Sequence, residues 1–476
     1  MTSRQRLIAL IVACALFMQN LDSTVLSTAL PSIGRSFDMD PVRLHLALTS
    51  YLIALAVFMP MSGWLADRYG TRTVFRLAIA VFIGASVGCG AATSLPWLVA
   101  MRFLQGIGGA MMLPVARLAL LRSVPKSSLV QAMTWVSVPA LIGPVVGPPL
   151  GGFLVTYASW PWIFWINVPI GIIGIVMATI YFENIKAQDV PKFDKAGFLL
   201  SAAGIAGILF GLELAPHARD MGPYGYILIA LGLAITGFYI RHALRHPAPI
   251  IDIRLLKVPT FRVSIIGGSL FRIGIGAIPF LLPLMLQEAF GKSALASGGI
   301  TFAAAAGALA MKFAAPRALS RLGFRTVLIW NAVLASCSIA VCAAFNSATP
   351  AFLMIFILFT GGFFRSLQFT ALNALGFADL DERQMSRATG FSAMAQQLSL
   401  SMGVTIAALS LQFLPGLTGA STETGGVYDL AFLLVGSIMM LSVFSFASLE
   451  AKAGHAVSGH AATAGGEARP PSDPRT

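Results

Sequence analysis

The chain has 476 residues, 57% hydrophobic and 11% charged, with a mean hydropathy of +0.81 and a net charge of +13. A soluble protein this apolar has too few polar side chains to cover its surface, so the composition excludes a soluble fold and indicates a polytopic membrane protein. The positive charge does not mark nucleic-acid binding, because Lys and Arg are spread over loops and not clustered on one folded face.

A helix needs about 20 apolar residues to cross the hydrocarbon of a bilayer. Apolar runs predict about fourteen spans, at 7–31, 44–66, 74–94, 97–121, 130–155, 161–182, 196–215, 223–241, 261–287, 296–315, 326–345, 351–373, 388–414 and 428–449. The first run continues to about Leu30 without a small-residue cleavage site, so it reads as a retained span and not a signal peptide. With the N-terminus inside, the inner loops and tails hold 23 Lys and Arg, against four in the outer loops (Arg35, Arg43, Arg219, Lys292). That asymmetry predicts two cytoplasmic termini. The remaining five basic residues, Arg102, Arg117, Arg272, Lys312 and Arg365, fall inside spans. The chain also carries 26 Pro and 46 Gly, many inside apolar runs, as membrane helices do. Its four cysteines (Cys14, Cys89, Cys337, Cys342) show no metal or redox spacing and read as packing residues. The tail from about Glu450 to Thr476 has a disordered composition, and its His455 and His460 are too sparse for a metal site.

In chain order, span 1 contains a deep acid, Asp22, with Gln19 on the same face. A carboxylate in a low-dielectric span is either paired with a cation or available to carry a proton, and both readings stand for Asp22. The loop after span 2, Gly63 to Phe75, places Asp67, Arg68, Gly70 and Arg72 in a short charged turn. It reads as an ordinary basic loop or as a latch in which Asp67 holds a partner in one conformation only. Span 4 carries Arg102, followed by Gln105, Gly109 and Met112 on one face. Arg102 is either an interfacial anchor or a partner for an acid during proton exchange. Span 5 contains GPVVGPPLGG, with Gly143, Pro144, Gly147, Pro148, Gly151 and Gly152, which predicts a bent, tightly packed helix.

Further along, Arg272 and Arg365 are deep and have no obvious partner; each is a candidate substrate or charge partner, as are Gln19 and Gln105. Arg117 and Lys312 lie nearer the inner ends and read as snorkelling side chains. Glu213 and Glu288 lie near outer ends and read as solvated carboxylates. After span 10, Ser320 to Arg325 repeats the R-x-G-x-R frame of Arg68 to Arg72, which indicates a duplicated two-half architecture.

Taken together, LDSTVLSTALP (21–31), GWLADRYGTR (63–72), RFLQGIGGAMMLPVARL (102–118) and GPVVGPPLGG (143–152) resemble the major facilitator superfamily. Within it they resemble the 14-span drug:proton antiporter branch of the EmrB/QacA type, as does ASWPWIFWINVPIG (158–171). The resemblance covers nearly the whole chain except the tail. It implies an all-α polytopic fold of two six-helix bundles plus two extra central helices. The corresponding division is 1–185 for the first bundle, 186–260 for two linker spans and a basic loop, 261–449 for the second bundle, and 450–476 for a cytoplasmic tail. It further implies that Asp22 and Arg102 couple protons, that 63–72 is a conformational latch and that 143–152 is the antiporter motif.

The expected activity is proton-coupled export of small amphipathic molecules or drugs across a bacterial inner membrane by alternating access. A second expectation is export of a native metabolite or organic anion with drug resistance incidental, since one deep acid faces three deep arginines. Walker, HExxH and GxSxG sequences are missing in suitable contexts, so neither an enzyme nor ATP-driven transport is expected. No cofactor or metal is expected. The partners are the bilayer, a small-molecule substrate and protons; a periplasmic adaptor and an outer-membrane channel follow from the resemblance alone.

Overall fold

The computed structural model describes residues 2–39, 44–125, 128–215, 223–292, 294–418, 426–450, 452–454 and 457; within these, the side chains of Pro144 and Pro148, among others, lie outside the described set. Helices dominate, and there is no strand among the described residues. Such a chain must satisfy its backbone within each segment once water is removed, and the α-helix does so locally. In order the helices are α1 (Ser3–Phe37), α2 (His45–Phe58), α3 (Met61–Tyr69), α4 (Thr71–Gly90), α5 (Leu95–Ser123), α6 (Leu129–Tyr157), α7 (Trp162–Trp165) and α8 (Asn167–Tyr181). After them come α9 (Lys195–Leu214), α10 (Tyr224–Arg245), α11 (Pro259–Leu284), α12 (Ala294–Ala340), α13 (Ala351–Leu375), α14 (Glu382–Thr418), α15 (Gly426–Met440) and α16 (Ser442–Ala447).

Among the described residues, eleven helices are long and apolar enough to cross a membrane, or twelve when α2 and α3, bent by 59° at their junction, form one span. The structure does not confirm the expected count of fourteen. The segments 296–315 and 326–345 share α12, which turns sharply at Gly323 (φ 72°, ψ 166°), and the span over 130–155 lies on α6, where many side chains are outside the described residues. Most of the expected tail, with His455 and His460, and the side chain of Glu213 also lie outside the described residues.

The first six spans pack among themselves: α1 against α5, α6 and α8, and α4 against α5 and α8. The last spans do likewise, with α11 against α14 and α15, and α12 against α13 and α15. Helices α9 and α10 pair with each other, and α9 rests on α2 and α14. Close helix approach explains their glycine content: a Cβ on Gly232 would stand 2.6 Å from the Ile208 nitrogen. The two halves meet where α3 and α5 touch α14, and where α6 touches α12 and α13. The Gly323 turn repeats the geometry of Gly70 (φ 95°, ψ 145°), so the two R-x-G-x-R frames are matching backbone turns.

Candidate functional site

The deep acid of α1 sits in a closed polar cluster. Asp22 is 2% exposed and Arg102 is fully buried. Arg102 Nη1 donates to Asp22 Oδ2 at 2.5 Å and to Gln105 Oε1 at 2.6 Å, and its Nε donates to the Ala47 carbonyl at 3.3 Å. Gln105 Nε2 and Asn167 Nδ2 each donate to Asp22 Oδ1 at 2.9 Å, and Gln105 also donates to Ser86 Oγ at 2.8 Å. The ring of Tyr51 lies 4.3 Å from the guanidinium, a cation–π distance. One helix turn separates Arg102 from Gln105, so both face α1 from α5. Gly106 of α5 allows α2, which carries Tyr51, to approach closely, because a Cβ there would stand 2.5 Å from the Tyr51 carbonyl.

The structure brings Asp22 and Arg102 together, and Arg102 is not an anchor reaching out to the interface. Removing either charge would leave the other buried without its counter-charge. Sequence reasoning missed Tyr51, Ser86 and Asn167. Tyr51 and Ser86 carry no signal beyond polarity inside an apolar run, and Asn167 lies within the quoted segment 158–171 without being singled out there. Gln19 is buried nearby, with its amide 3.5 Å from where a Cβ on Gly109 would stand.

The glycines of the span-5 motif seat α6 on the segment of α1 that bears the acid. A Cβ on Gly143 would stand 3.1 Å from Asn20 Cβ and 3.2 Å from the Leu21 nitrogen, and one on Gly147 would collide with Thr24 Oγ1. Gly151 is buried, whereas Gly152 is exposed with open space around it. The motif stays within one α-helix from Leu129 to Tyr157.

At one end of the molecule the 63–72 turn ties the halves together. Asp67 accepts from Arg122 Nη2 at 2.8 Å and from Ser386 Oγ at 2.5 Å. Ser386 belongs to α14, in the other half, and a Cβ on Gly63 would run into its carbonyl. Gly70 has a positive φ that glycine adopts freely, and a Cβ there would strike Asn184. The segment after α8 braces the turn: the Glu183 carbonyl accepts from Thr71 Oγ1 at 3.1 Å, Asn184 Oδ1 from the Thr73 nitrogen at 3.2 Å and the Asp67 carbonyl from the Ala187 nitrogen at 3.1 Å. Arg68 is exposed and Arg72 half-buried, and neither makes an ion pair among the described residues. A cavity of about 440 Å³ adjoins this turn, lined by Trp64, Asp67, Arg122, Asp194, Ser386 and Arg387.

The profile of the Major Facilitator Superfamily matches residues 12–404. The chain belongs to this family. A Haemophilus influenzae relative named "Probable transport protein HsrA" is 36% identical over 442 residues, which cover 93% of this chain and 95% of that protein. An Escherichia coli O6:H1 relative named "Putative multidrug resistance protein MdtD" is 37% identical over 446 residues, 92% of this chain and 93% of its own. Among solved structures, the human organic anion transporter MFSD10 (TETRAN) superposes with a TM-score of 0.66 at 14% identity, covering 94% of this chain and all of that one. The proton:xylose symporter XylE superposes with a TM-score of 0.65 at 13% identity, covering 97% and 99%. The protein is a multi-pass membrane transporter for small molecules and not an enzyme.

Within this major facilitator fold the other deep cations depart from expectation. Arg117 and Lys312 are 6% and 2% exposed, so they do not snorkel. Lys312 Nζ donates to Thr370 Oγ1 at 2.7 Å. Arg272 is 1% exposed and does not meet Asp22, which is already taken by Arg102. Arg365 is half-buried beside Ser338, Cys342 and Gly361. Glu288 is exposed and accepts from Tyr428 Oη at 2.9 Å. Asp194, His242 and His246 place possible metal-ligand atoms within 4.8 Å of one another, although Asp194 already caps α9 through the Gly197 nitrogen and accepts from His242.

Proposed function

We propose that this transporter is a proton-coupled exporter that moves small amphipathic molecules outward by alternating access of its two helical halves. The observation that carries the reading is the enclosed Asp22–Arg102 pair, held by Gln105 from the same helix as Arg102 and by Asn167 from α8. A proton arriving at Asp22 cancels the charge that holds Arg102, and the cluster then has a reason to rearrange. The seating of α6 on α1 at Gly143 and Gly147 gives that rearrangement a route into a helix that also touches α12 and α13. The latch at Asp67 and Ser386 closes one end, and we assign that end to the cytoplasm from the charge distribution of the loops. The state described is then closed inward.

In this reading residues 1–185 and 261–449 are the two moving bundles, 186–260 supply the linker helices, and both termini face the cytoplasm of a bacterial inner membrane. The multidrug resistance name of a 37% identical relative supports export of drug-like solutes. The test is transport of dyes and drugs in inverted vesicles, with Asp22→Asn alongside. Gradient-driven uptake lost in the variant supports the reading. Uptake that keeps its gradient dependence in Asp22→Asn removes the coupling role from Asp22. Arg272 favours a second reading, in which the solute is an organic anion.

A further inference from the structure

Helix α9 starts beside the end of α10, and three ligand-bearing side chains converge there. Asp194 is the N-cap of α9, its Oδ1 accepting from the Gly197 nitrogen at 2.8 Å, and its side chain is only 3% exposed. His242 and His246, at the end of α10, both reach toward this carboxylate. They are four residues apart, so they share one face of the helix. His242 Nε2 stands 2.9 Å from Oδ1 and 3.1 Å from Oδ2, and His246 Nδ1 stands 4.0 Å from Oδ2. The two rings lie at 25° to each other with centroids 5.1 Å apart. Asp194 precedes His242 by 48 residues, so the packing of α9 on α10 is what assembles the group.

A capping carboxylate needs one imidazole at most, and the second is not bonded to it. His246 Nδ1 accepts instead from the Ala248 nitrogen at 3.2 Å. A ring nitrogen that accepts an N–H carries a lone pair and no proton, which is the form of imidazole that binds a metal. Zn²⁺ holds imidazole nitrogen and carboxylate oxygen at about 2.0–2.2 Å, so neighbouring donors of a tetrahedral site stand about 3.3 Å apart. The distances of 2.9 and 4.0 Å fall on either side of that spacing, and one ligand atom from each residue lies within 4.8 Å of the other two. Side-chain rotation closes the set without moving either helix. The ion takes the place of the proton between His242 Nε2 and Asp194 Oδ1, and that proton passes to Nδ1 of the same ring. Coordination by His246 Nδ1 gives up the Ala248 bond. Asp194 also lines the cavity of about 440 Å³, and the side chains of His242 and His246 are 25% and 31% exposed. The ion therefore has an entry path, and water can fill a fourth position. Two imidazoles in a set of three donors select zinc-like ions over Mg²⁺ and Ca²⁺, which prefer oxygen.

We infer that Asp194, His242 and His246 form a binding site for a transition-metal dication, with Zn²⁺ as the fitting ion. The site ties the start of α9 to the end of α10. It also anchors the strap over 186–193, which lies on the 63–72 turn: the Ala187 nitrogen donates to the Asp67 carbonyl at 3.1 Å, Trp64 Nε1 donates to the Pro191 carbonyl at 2.8 Å, and the rings of Trp64 and Phe193 are 5.0 Å apart. A bound ion fixes the Asp194 end of that strap. The inference goes beyond the transport reading and does not depend on the direction of transport or on the coupling acid.

The test is Zn²⁺ binding to the purified, untagged full chain in detergent after dialysis against a chelator, read by calorimetry and by the shift in melting temperature. The variants are His242→Gln, His246→Gln and Asp194→Asn, the last of which keeps a helix cap. His455→Gln/His460→Gln removes the two tail histidines as a control for adventitious binding. Zn²⁺ binds the wild type and the tail variant alike and raises the melting temperature of both, because it binds the folded state. Each of the three site variants binds at least about 10-fold more weakly, the minimum lost when even a residue behind a metal ligand is changed. Their melting temperatures respond to Zn²⁺ correspondingly less, and Ca²⁺ at the same concentration shifts none of the proteins. Absence of Zn²⁺ binding to the wild type, equal binding in the wild type and the site variants, weakening in only one of the three, or a Ca²⁺ shift matching that of Zn²⁺ would each overturn the inference.

Discussion

Thr24 Oγ1 of α1 occupies the place where a side chain on Gly147 of α6 would begin, two residues beyond Asp22. The span-5 glycine is therefore the seat for the acid-bearing helix. Gly147→Val forces the two helices apart next to the Asp22 cluster, and overpacking of this kind costs about 1–3 kcal/mol. Gradient-driven transport in vesicles falls to background while the protein still inserts. Gly152→Ala meets open space and retains wild-type transport and melting temperature. Equal effects of the two substitutions would remove the packing argument.

The Asp22–Arg102 pair makes a sharper claim about stability. Arg102→Leu leaves the carboxylate with Gln105 and Asn167 alone, and loss of one partner of a buried pair costs about 3–5 kcal/mol. Asp22→Asn strands Arg102 in the same way. The double variant Asp22→Asn/Arg102→Leu strands neither charge and recovers most of the loss. Unfolding temperatures of the four proteins in one detergent give the coupling directly. Additive losses would mean that the two side chains do not depend on each other.

Much of this site was legible in the sequence because charges inside apolar runs are conspicuous. Asp22 and Arg102 stood out for that reason, and Gln105 by its place one turn after Arg102; the structure joins all three. Tyr51 was not, because an isolated polar residue in an apolar segment carries no sign of what it will face, and Asn167 lay within the quoted segment 158–171 without any sign that it would meet Asp22. The latch shows the same division. Asp67 and Gly70 could be read from a short charged turn, but Ser386 is 319 residues away, and only tertiary packing of α14 on α3 brings it to Asp67. Arg117 and Lys312 were misread as snorkelling, since distance from a helix end says nothing about whether a neighbouring helix covers the route to water. The count of fourteen spans is not confirmed, in part because the two segments expected on either side of Gly323 run through one helical element that turns there.

The latch predicts a shift in conformation more than a loss of folding. Gly63→Ala places a methyl group against the Ser386 carbonyl, and Asp67→Asn weakens the contact with Arg122. Both variants favour the state in which α14 has moved off α3. A cysteine introduced at Ser62, a fully buried position beside the contact, reports this through its labelling rate by a water-soluble maleimide. Labelling rises several-fold in the Gly63→Ala background, since opening needs only a change of a few kcal/mol between states. An unchanged rate in both variants would show that the contact does not hold this end closed.

Gly70 carries two separate constraints, and these can be told apart. Its φ of 95° with ψ of 145° is strained for any L residue, at a cost of about 1–3 kcal/mol. A Cβ at the same position also collides with the Asn184 side chain, which accepts from the Thr73 nitrogen. Gly70→Ala therefore lowers the melting temperature through both effects. Gly70→Ala/Asn184→Ala relieves the collision but not the backbone strain, so stability returns only in part relative to Asn184→Ala alone. Full recovery would assign the whole requirement for glycine to the side-chain contact. No recovery would assign it to the backbone turn, and the matching geometry at Gly323 then predicts a similar loss for Gly323→Ala.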